Sequence, residues 1–115
     1  MYTICYIDVM YSIQRYVDAK GNELITEWLT GLRDDKAVFR IAARLEQIRH
    51  GNFGDCKPVG NSVWELRIDI GAGYRIYYSI TGKDIVLLLV GGDKRRQKQD
   101  IKKAISCLND YNRRK

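Results

Sequence analysis

Three side chains that could bind an anion lie in two adjacent segments of alternating apolar and polar residues. The segment VWELRIDI contains Arg67, and the segment GYRIYYSI contains Arg75 and Tyr77. Alternation at every second residue predicts two half-buried strands joined at residues 71–73, Gly-Ala-Gly. Cross-strand partners share a face, so we expect these three side chains together on the polar face of a hairpin.

A symmetric loop over residues 71–73 also predicts the register of this hairpin. The expected pairs are Ile70 with Tyr74, Asp69 with Arg75, and Arg67 with Tyr77. The apolar side chains of both strands then share the opposite face, towards a core. The polar face has two interpretations. It is a phosphate-binding site, or it is a solvated sheet on which Arg67 pairs with Glu65 or Asp69.

Clustered arginines suit the chemistry of phosphodiester transfer. A guanidinium binds the nonbridging oxygens bidentately without changing its protonation, and such preorganised charge can be the largest catalytic contribution. RNA cleavage needs no metal when the neighbouring 2′-hydroxyl is the nucleophile. Lys94 follows the third strand and adds a further cation. Proton transfer would fall to Asp69, Tyr77, Asp93 or Lys94.

Other site chemistries find no support among the motifs. The chain has no HExxH, no Cys/His cluster and no GxxxxGK[ST] sequence, and one Gly-Ala-Gly turn is not a dinucleotide fingerprint. His50 is the only histidine, which excludes a two-histidine ribonuclease site, and a place at a helix end favours a dipole partner. Cys5, Cys56 and Cys107 are isolated, which indicates reduced structural thiols. We expect neither a metal nor a cofactor.

Positive charge is concentrated towards the end of the sequence. The 115-residue chain has a net charge of +6, and residues 94–115 hold nine basic and two acidic residues. A localised positive field favours a polyanion such as nucleic acid, or an acidic protein, although a merely solvated helix face also fits.

The length predicts one domain. No apolar run suits a membrane span and the start lacks signal-peptide features, so we expect a cytoplasmic protein.

Apolar residues at helical spacing predict helices over residues 23–32, from 34 or 35 to about 50, and from 97 to about 111. The second helix is expected to bury Val38, Ile41, Leu45 and Ile48. A first strand is expected within residues 2–9 or 11–17, and residues 52–62, which hold the only proline, have the composition of a loop.

The last strand, IVLLLV, is continuously apolar, which is typical of an inner strand covered on both faces. Gly91 and Gly92 then predict a turn into the final helix. An early strand, two helices, a strand meander and a closing helix together indicate an α+β fold.

Three ordered segments carry a family resemblance: EWLTGLRDDKAVFRIAARLEQIRHGNFGDCKPVG, VWELRIDIGAGYRIYY and LLLVGGDKRRQKQDI. They resemble the HigB-like toxins of type II toxin–antitoxin systems, in the RelE/ParE superfamily. The resemblance implies a small curved antiparallel sheet with an N-terminal helical hairpin and a C-terminal helix, with helices on one face. It also implies a metal-independent endoribonuclease that cleaves mRNA on the ribosome, inhibits translation and arrests growth. The implied partners are the ribosome, mRNA and a helix-turn-helix antitoxin, with operator DNA bound only through the toxin–antitoxin complex.

The resemblance also implies roles for individual residues. Arg75, in GYRIYY, matches the phosphate-binding catalytic arginine, Lys94 matches the basic residue after the last strand, and Arg67 falls near a basic position of the same sheet. The expected RNA contacts are Lys57, Tyr77, Arg95, Arg96 and Lys98. RelE-like enzymes often place an acid–base tyrosine a few residues beyond the basic residue. Asp100 stands there, which leaves that role open.

The family-like start is MYSIQRYVD, so residues 1–9 find no counterpart. Either Met10 is the functional start, or residues 1–9 extend a single toxin domain that spans residues 1–115.

Two other functions remain open at this point. ParE-like members of the superfamily inhibit DNA gyrase as binding proteins, without catalysis. A degenerate member would be kept only as a binding module. The cluster of cations on the sheet favours the nuclease.

Overall fold

The computed structural model describes residues 10–115 as a five-stranded sheet with helices packed against it. A 3₁₀ turn, Lys94–Arg96, joins the last strand to the last helix. The elements in chain order are β1 (Ser12–Arg15), α1 (Leu24–Gly31), α2 (Asp35–Arg49), β2 (Cys56–Gly60), β3 (Val63–Ile68), β4 (Tyr74–Thr81), β5 (Ile85–Asp93) and α3 (Gln97–Arg114). The predicted α+β class, with a helical pair before the meander and a helix after it, is confirmed.

The sheet has the strand order β1-β5-β4-β3-β2. Strands β2 to β5 form an antiparallel meander, whereas β1 pairs in parallel with β5. The resemblance implied an antiparallel sheet, but this sheet is mixed. The chain leaves β1 through α1 and α2 instead of a tight hairpin, and such a long crossover allows a parallel pair. β1 lies within residues 11–17, one of its two predicted positions.

Helices cover both faces of the sheet, where the resemblance implied one. Ile41 of α2 packs with Ile76 on one face, and Ala104 of α3 packs with Tyr77 on the other. Ile76 and Tyr77 are consecutive in β4, so they point to opposite faces. Residues 86–90 of β5 are buried, as the continuous apolar sequence of that strand predicted. We call the two sides the α2 face and the α3 face.

The inner side of α2 differs by one position from the predicted one. Ile41 and Ile48 are buried as expected, and Leu45 is half-buried. Val38 instead keeps 38% of its surface exposed, because Ala37 takes the inward position one residue earlier. The helix begins after Asp34, whose side chain accepts a hydrogen bond from the Ala37 N–H at 3.1 Å, which is the usual N-cap arrangement.

Strand β2 lies inside the segment that was predicted to be a loop. It forms one edge of the sheet and pairs with β3, with Pro58 opposite Trp64. Proline weakens a strand prediction because it has no N–H to donate, but an edge strand leaves one row of its N–H groups unused. The loop prediction for residues 56–60 is therefore wrong.

The register of the β3–β4 hairpin also differs from the prediction. The observed pairs include Ile68 with Tyr74, Arg67 with Arg75, and Glu65 with Tyr77. Residues 69–73 form the connection, because Ile70 and Gly73 are joined by a backbone hydrogen bond of 3.0 Å inside the loop. A shift by two residues keeps every side chain on its predicted face but changes its neighbours. Glu65, and not Arg67, lies opposite Tyr77.

Gly91 and Gly92 lie within β5 and do not form the predicted turn. Each glycine leaves room for a side chain from a different helix. A Cβ on Gly91 would collide with the ring of Trp28 from α1, and a Cβ on Gly92 would collide with the carboxylate of Asp100 from α3. The two glycines therefore allow α1 and α3 to pack closely against opposite faces of β5.

No helix within residues 10–115 is long and apolar enough to cross a membrane. In the same part of the chain, no three His, Cys, Asp or Glu side chains gather as metal ligands. Cys5, the alternative first strand over residues 2–9 and the predicted N-terminal extension lie outside the described residues.

Candidate functional site

Four of the predicted cationic residues lie on the α3 face or at its end. Glu65 and Arg67 are two positions apart in β3, so they share this face with Tyr77. The register places Lys57 opposite Glu65, and Arg75 opposite Arg67. Lys94 comes immediately after β5. The cations thus cross the sheet from its β2 edge towards the start of α3.

Arg75 and Lys94 come together around Gly73. The backbone N–H of Lys94 donates to the Gly73 carbonyl oxygen at 2.8 Å. A Cβ on Gly73 would lie 3.5 Å from Lys94 Cβ and 3.7 Å from Arg75 Nη1. Gly73 has a φ of +79°, a conformation that side-chain-bearing residues rarely adopt. The glycine therefore lets the loop and the segment after β5 meet, which brings two cations to one end of the α3 face.

A fully buried carboxylate lies beside Arg75. Glu65 is 0% exposed, and its Oε2 accepts hydrogen bonds from the Tyr77 hydroxyl at 3.1 Å and from Gln97 Nε2 at 2.7 Å. Arg75 Nε lies 3.8 Å from the same oxygen, and the Arg75 side chain keeps 12% of its surface exposed. Arg75 Nη1 donates to the Tyr74 carbonyl oxygen at 3.3 Å. Arg75 is held where the buried α3 face meets solvent.

Arg67 is directed towards the β2 side of the sheet. Its Nε and Nη2 donate to Asp55 Oδ1 at 3.2 and 3.0 Å, and its side chain is 39% exposed. The Arg67 carbonyl oxygen accepts a hydrogen bond from Arg44 Nη1 at 2.6 Å. Arg44, on α2, is half-buried and supports this part of the sheet. Arg67 is therefore the cross-strand neighbour of Arg75, but its charge is already paired.

The turn before α3 presents further cations at the surface. The exposed members are Lys94, Arg95, Arg96 and Lys98, and they border a shallow groove with Gln97 and Gln99. Arg95 Nη2 lies 3.1 Å from Asp93 Oδ2, and Asp93 Oδ1 accepts from the Arg95 N–H at 2.9 Å. The hydrogen bond from the Arg95 side chain holds the pKa of Asp93 below its ordinary value. Asp93 is therefore an ionised anchor for the turn at neutral pH.

Asp100 lies inside the fold. It is 5% exposed, its carboxylate packs over Gly92, and Arg96 Nε lies 3.9 Å from its Oδ1. Burial raises the pKa of Asp100. The other oxygen, Oδ2, has no hydrogen-bond partner among residues 10–115. The position that the resemblance linked to acid–base chemistry thus holds a carboxyl group that faces the sheet.

Tyr77 is 0% exposed, which separates it from the surface cations. Burial, followed by the nearby charge of Glu65, raises the pKa of the Tyr77 phenol, so it remains a proton donor to Glu65.

Asp69 is exposed in the β3–β4 loop. His50 lies at the end of α2, where its Nε2 is 3.3 Å from Glu46 Oε2.

Sequence reasoning missed two members of this cluster. Glu65 was considered only as a surface partner of Arg67, and Gln97 only as the first residue of a helix. The available signal was that Glu65 lies on the same strand face as Arg67, and on the face that Tyr77 was predicted to share. Only the packing of α3 on that face shows that Glu65 and Gln97 meet, at 2.7 Å.

Comparison with known protein families identifies the family of this chain. Residues 27–109 match the family described as Phage derived protein Gp49-like (DUF891). An uncharacterized protein of Haemophilus influenzae is 47% identical over 88 residues, which are 76% of this chain and 89% of that protein. The matched segment includes every candidate site residue from Lys57 to Lys98. The chain belongs to the phage-derived Gp49-like family, a family of toxin–antitoxin toxins related to RelE and ParE.

Proposed function

We propose that this toxin is a HigB-like mRNA interferase, a metal-independent endoribonuclease that cleaves mRNA on the ribosome and so inhibits translation. The observation that carries the proposal is the meeting of Arg75 and Lys94 at Gly73, at the end of the α3 face where Lys94 is exposed. Two cations from different elements at one point suit a scissile phosphate. Charge developing on its nonbridging oxygens is stabilised by groups that are already in place.

In this proposal Arg75 and Lys94 bind the scissile phosphate, and Arg67 assists once Asp55 releases it. The 2′-hydroxyl of the RNA loses its proton and attacks the adjacent phosphorus. The bond from phosphorus to the 5′-oxygen of the next nucleotide breaks and that oxygen gains a proton, which gives a 2′,3′-cyclic phosphate and a 5′-hydroxyl. The protein orients the reacting groups and stabilises charge. Arg75 suits this role because a guanidinium can bind two phosphate oxygens at once.

Lys57, Arg95, Arg96 and Lys98 would bind RNA on either side of the scissile phosphate. They are exposed, and they follow the same face of the sheet towards α3. Tyr77 supports the site through Glu65 instead of contacting RNA, since its hydroxyl is buried. The proposed partners are a helix-turn-helix antitoxin, the ribosome and mRNA in the cytoplasm, with operator DNA bound through the toxin–antitoxin complex.

The test is induced expression followed by mapping of transcript 5′ ends. The wild-type toxin is expected to arrest growth and to produce cuts phased with codons. Arg75→Ala is expected to abolish both effects, because one of the two cations at the phosphate is removed. Binding of the antitoxin by the purified variant checks that its fold is retained. Arg40→Ala is the matched control, since Arg40 is exposed on α2 and lies away from the α3 face. A fully toxic Arg75→Ala protein would show that this site assignment is wrong.

The second candidate is a non-enzymatic inhibitor of DNA gyrase, as in ParE-like toxins. The observation in its favour is that Arg67 is paired with Asp55 and Arg75 lies beside Glu65, which reduces the free positive charge at the site. The same induced cultures separate the two functions. A DNA damage response without transcript cuts supports gyrase inhibition, and codon-phased cuts without that response support the nuclease.

A further inference from the structure

We propose that Glu65 is a positioning residue that holds the two cationic parts of the site, Arg75 on β4 and the basic turn before α3, in one arrangement. This inference rests on the proposed role of Arg75 in phosphate binding. Glu65 itself touches no surface that RNA could reach, since it is 0% exposed. It would act only through its neighbours.

The burial of Glu65 needs an explanation. An ionised carboxylate loses its hydration when it is buried, and proteins accept this loss where the charge is paired and hydrogen-bonded. Glu65 has three such partners on two other elements, β4 and α3. Tyr77 and Gln97 donate to its Oε2, and Arg75 Nε lies 3.8 Å from the same atom. A structural role alone would be met by an apolar residue at this inward position of β3.

The contact between Glu65 and Arg75 is electrostatic and leaves hydrogen-bonding capacity unused. Neither Arg75 Nε nor Glu65 Oε1 has a hydrogen-bond partner among residues 10–115. The carboxylate therefore attracts the guanidinium from behind, on its Nε side. The Nη1 atom donates to the Tyr74 carbonyl oxygen and lies close to Gly73, beside Lys94. The carboxylate thus holds the guanidinium from its Nε side and leaves its Nη side near Lys94, where the phosphate is proposed to bind.

Gln97 links the same carboxylate to the basic turn. It is the first residue of α3 and directly follows Lys94–Arg96. Its Nε2 donates to Glu65 Oε2 at 2.7 Å, the shorter of the two hydrogen bonds that this oxygen accepts. Glu65 thus anchors the start of α3 with one contact and faces Arg75 with another. Without the charge of Glu65, Arg75 and the basic turn before α3 should no longer be held in one relative position.

Tyr77 also holds Glu65 in place, but it cannot take over the role of the Glu65 carboxylate. Its hydroxyl donates to Glu65 at 3.1 Å, and burial raises the pKa of the phenol, so it supplies no negative charge of its own. Asp100, the other buried carboxyl group on this face, packs over Gly92 and lies near Arg96. Glu65 is therefore the carboxylate that contacts Arg75.

The experiment compares wild type, Glu65→Gln and Ser79→Ala. Glu65→Gln keeps the volume and one acceptor oxygen but removes the charge that faces Arg75. Ser79→Ala is the matched control. Ser79 is buried on the same face of β4 and donates to the Ser62 carbonyl oxygen at 2.8 Å, away from Arg75.

Two readouts are taken for each protein. The first is the Nε–Hε signal of Arg75 in NMR spectra of the free toxin, assigned from its absence in Arg75→Lys. The second is the rate of mRNA cleavage on programmed ribosomes, separated into kcat and KM. For Glu65→Gln we expect a shifted or exchange-broadened Arg75 signal, a fall in kcat of about tenfold or more, and a KM within about twofold of wild type. Ser79→Ala should match wild type in both readouts.

The outcomes separate this inference from the proposed function. If the wild-type protein does not cleave mRNA, the proposed function is wrong, and if Arg75→Ala cleaves normally, the proposed role of Arg75 is wrong. In both cases a changed Arg75 signal in Glu65→Gln still supports positioning. If Arg75→Ala is inactive while Glu65→Gln matches wild type in signal and kcat, the inference is overturned. Should Glu65→Gln lose its native circular dichroism, Gln97→Ala takes its place. That variant is expected to lower kcat about threefold by removing one hydrogen bond, and an unchanged kcat and Arg75 signal would again overturn the inference.

Discussion

Arg67 and Arg75 are cross-strand neighbours with identical side chains, but their surroundings give them different capacities. Arg67 donates two hydrogen bonds to Asp55, so binding a phosphate there requires that pair to open. Arg75 faces a carboxylate at 3.8 Å without a hydrogen bond from its Nε, and it lies beside Lys94 at Gly73. Arg75 is therefore the residue from which the largest catalytic effect is expected.

Single glycines decide how closely the helices approach β5. Gly91→Ala is expected to lower the free energy of unfolding by about 2 kcal/mol, because the new methyl group collides with the rigid ring of Trp28. Urea denaturation followed by tryptophan fluorescence measures this decrease. Gly31→Ala is the control, since a Cβ there meets nothing within 4 Å. Equal stability of Gly91→Ala and Gly31→Ala would contradict the packing described for this strand.

At the scale of elements, α3 is fixed at both ends. Its first residue, Gln97, is bound to Glu65. Near its last turn, the Tyr16 hydroxyl donates to Asp110 Oδ2 at 2.6 Å, and Arg114 binds the same carboxylate at 2.7 Å. Tyr16 immediately follows β1, so this second anchor ties the end of α3 to the parallel edge strand.

The anchor at Tyr16 predicts a specific dependence of stability on pH. Burial and the Asp110 carboxylate raise the pKa of Tyr16 from 10.0 to about 12. A group whose pKa is raised on folding contributes stability that is fully present below the unfolded value and is lost as pH rises through the folded value. The advantage of wild type over Tyr16→Phe is therefore expected to be constant at neutral pH and to shrink from about pH 10 to about pH 12.

Thermal unfolding of both proteins across this range gives the comparison. Tyr16→Phe keeps the ring and removes only the hydroxyl. Tyr77 and Tyr78 also have raised pKa values because they are buried, and they are present in both proteins, so their contributions cancel. An advantage that persists undiminished at pH 12 would contradict the hydrogen bond to Asp110.

At the scale of the whole molecule, part of the positive charge gathers on the α3 face and in the segment that follows β5. The chain carries +6, and residues 94–115 contain nine of its twenty basic residues. The cations at Lys57, Arg67 and Arg75 share the α3 face, next to the start of that segment. The tertiary structure thus brings these three separate cations next to the basic segment, an arrangement suited to a polyanion.

This surface predicts how binding of single-stranded RNA depends on salt. The binding constant K falls with salt concentration, and the magnitude of the slope of log K against log salt concentration becomes smaller by about 0.7 for each RNA phosphate that the protein no longer neutralises. Lys57→Ala combined with Lys98→Ala should therefore reduce the slope by about 1.4. Lys36→Ala with Lys83→Ala is the matched control, because both lysines are exposed, one on α2 and one in the β4–β5 turn. Fluorescence anisotropy gives the slopes, and equal slopes for the two double variants would contradict the proposed RNA path.

Much of the fold followed from local pattern. Helical spacing predicted α1, α2 and α3 nearly to their ends, because the apolar stripe of each helix is complete within the helix itself. Strand β2 was missed because Pro58 and two nearby glycines resemble a loop, and only pairing with β3 gives this segment its extended form. The direction of β1 was equally hidden, since a parallel pair depends on a crossover and not on the residues of the strand.

The same distinction, between what local pattern predicts and what packing decides, applies to the candidate site. The sequence by itself determined which faces Arg67, Arg75, Glu65 and Tyr77 would share, because alternation with a period of two survives a register shift of two residues. Only the tertiary structure decided which of them meet. The longer β3–β4 loop placed Glu65 opposite Tyr77, and α3 covered that face and brought Gln97 to Glu65. Contacts between distant elements depend on packing geometry, which no local pattern of residues contains, and so the buried carboxylate beside Arg75 became visible only in the folded molecule.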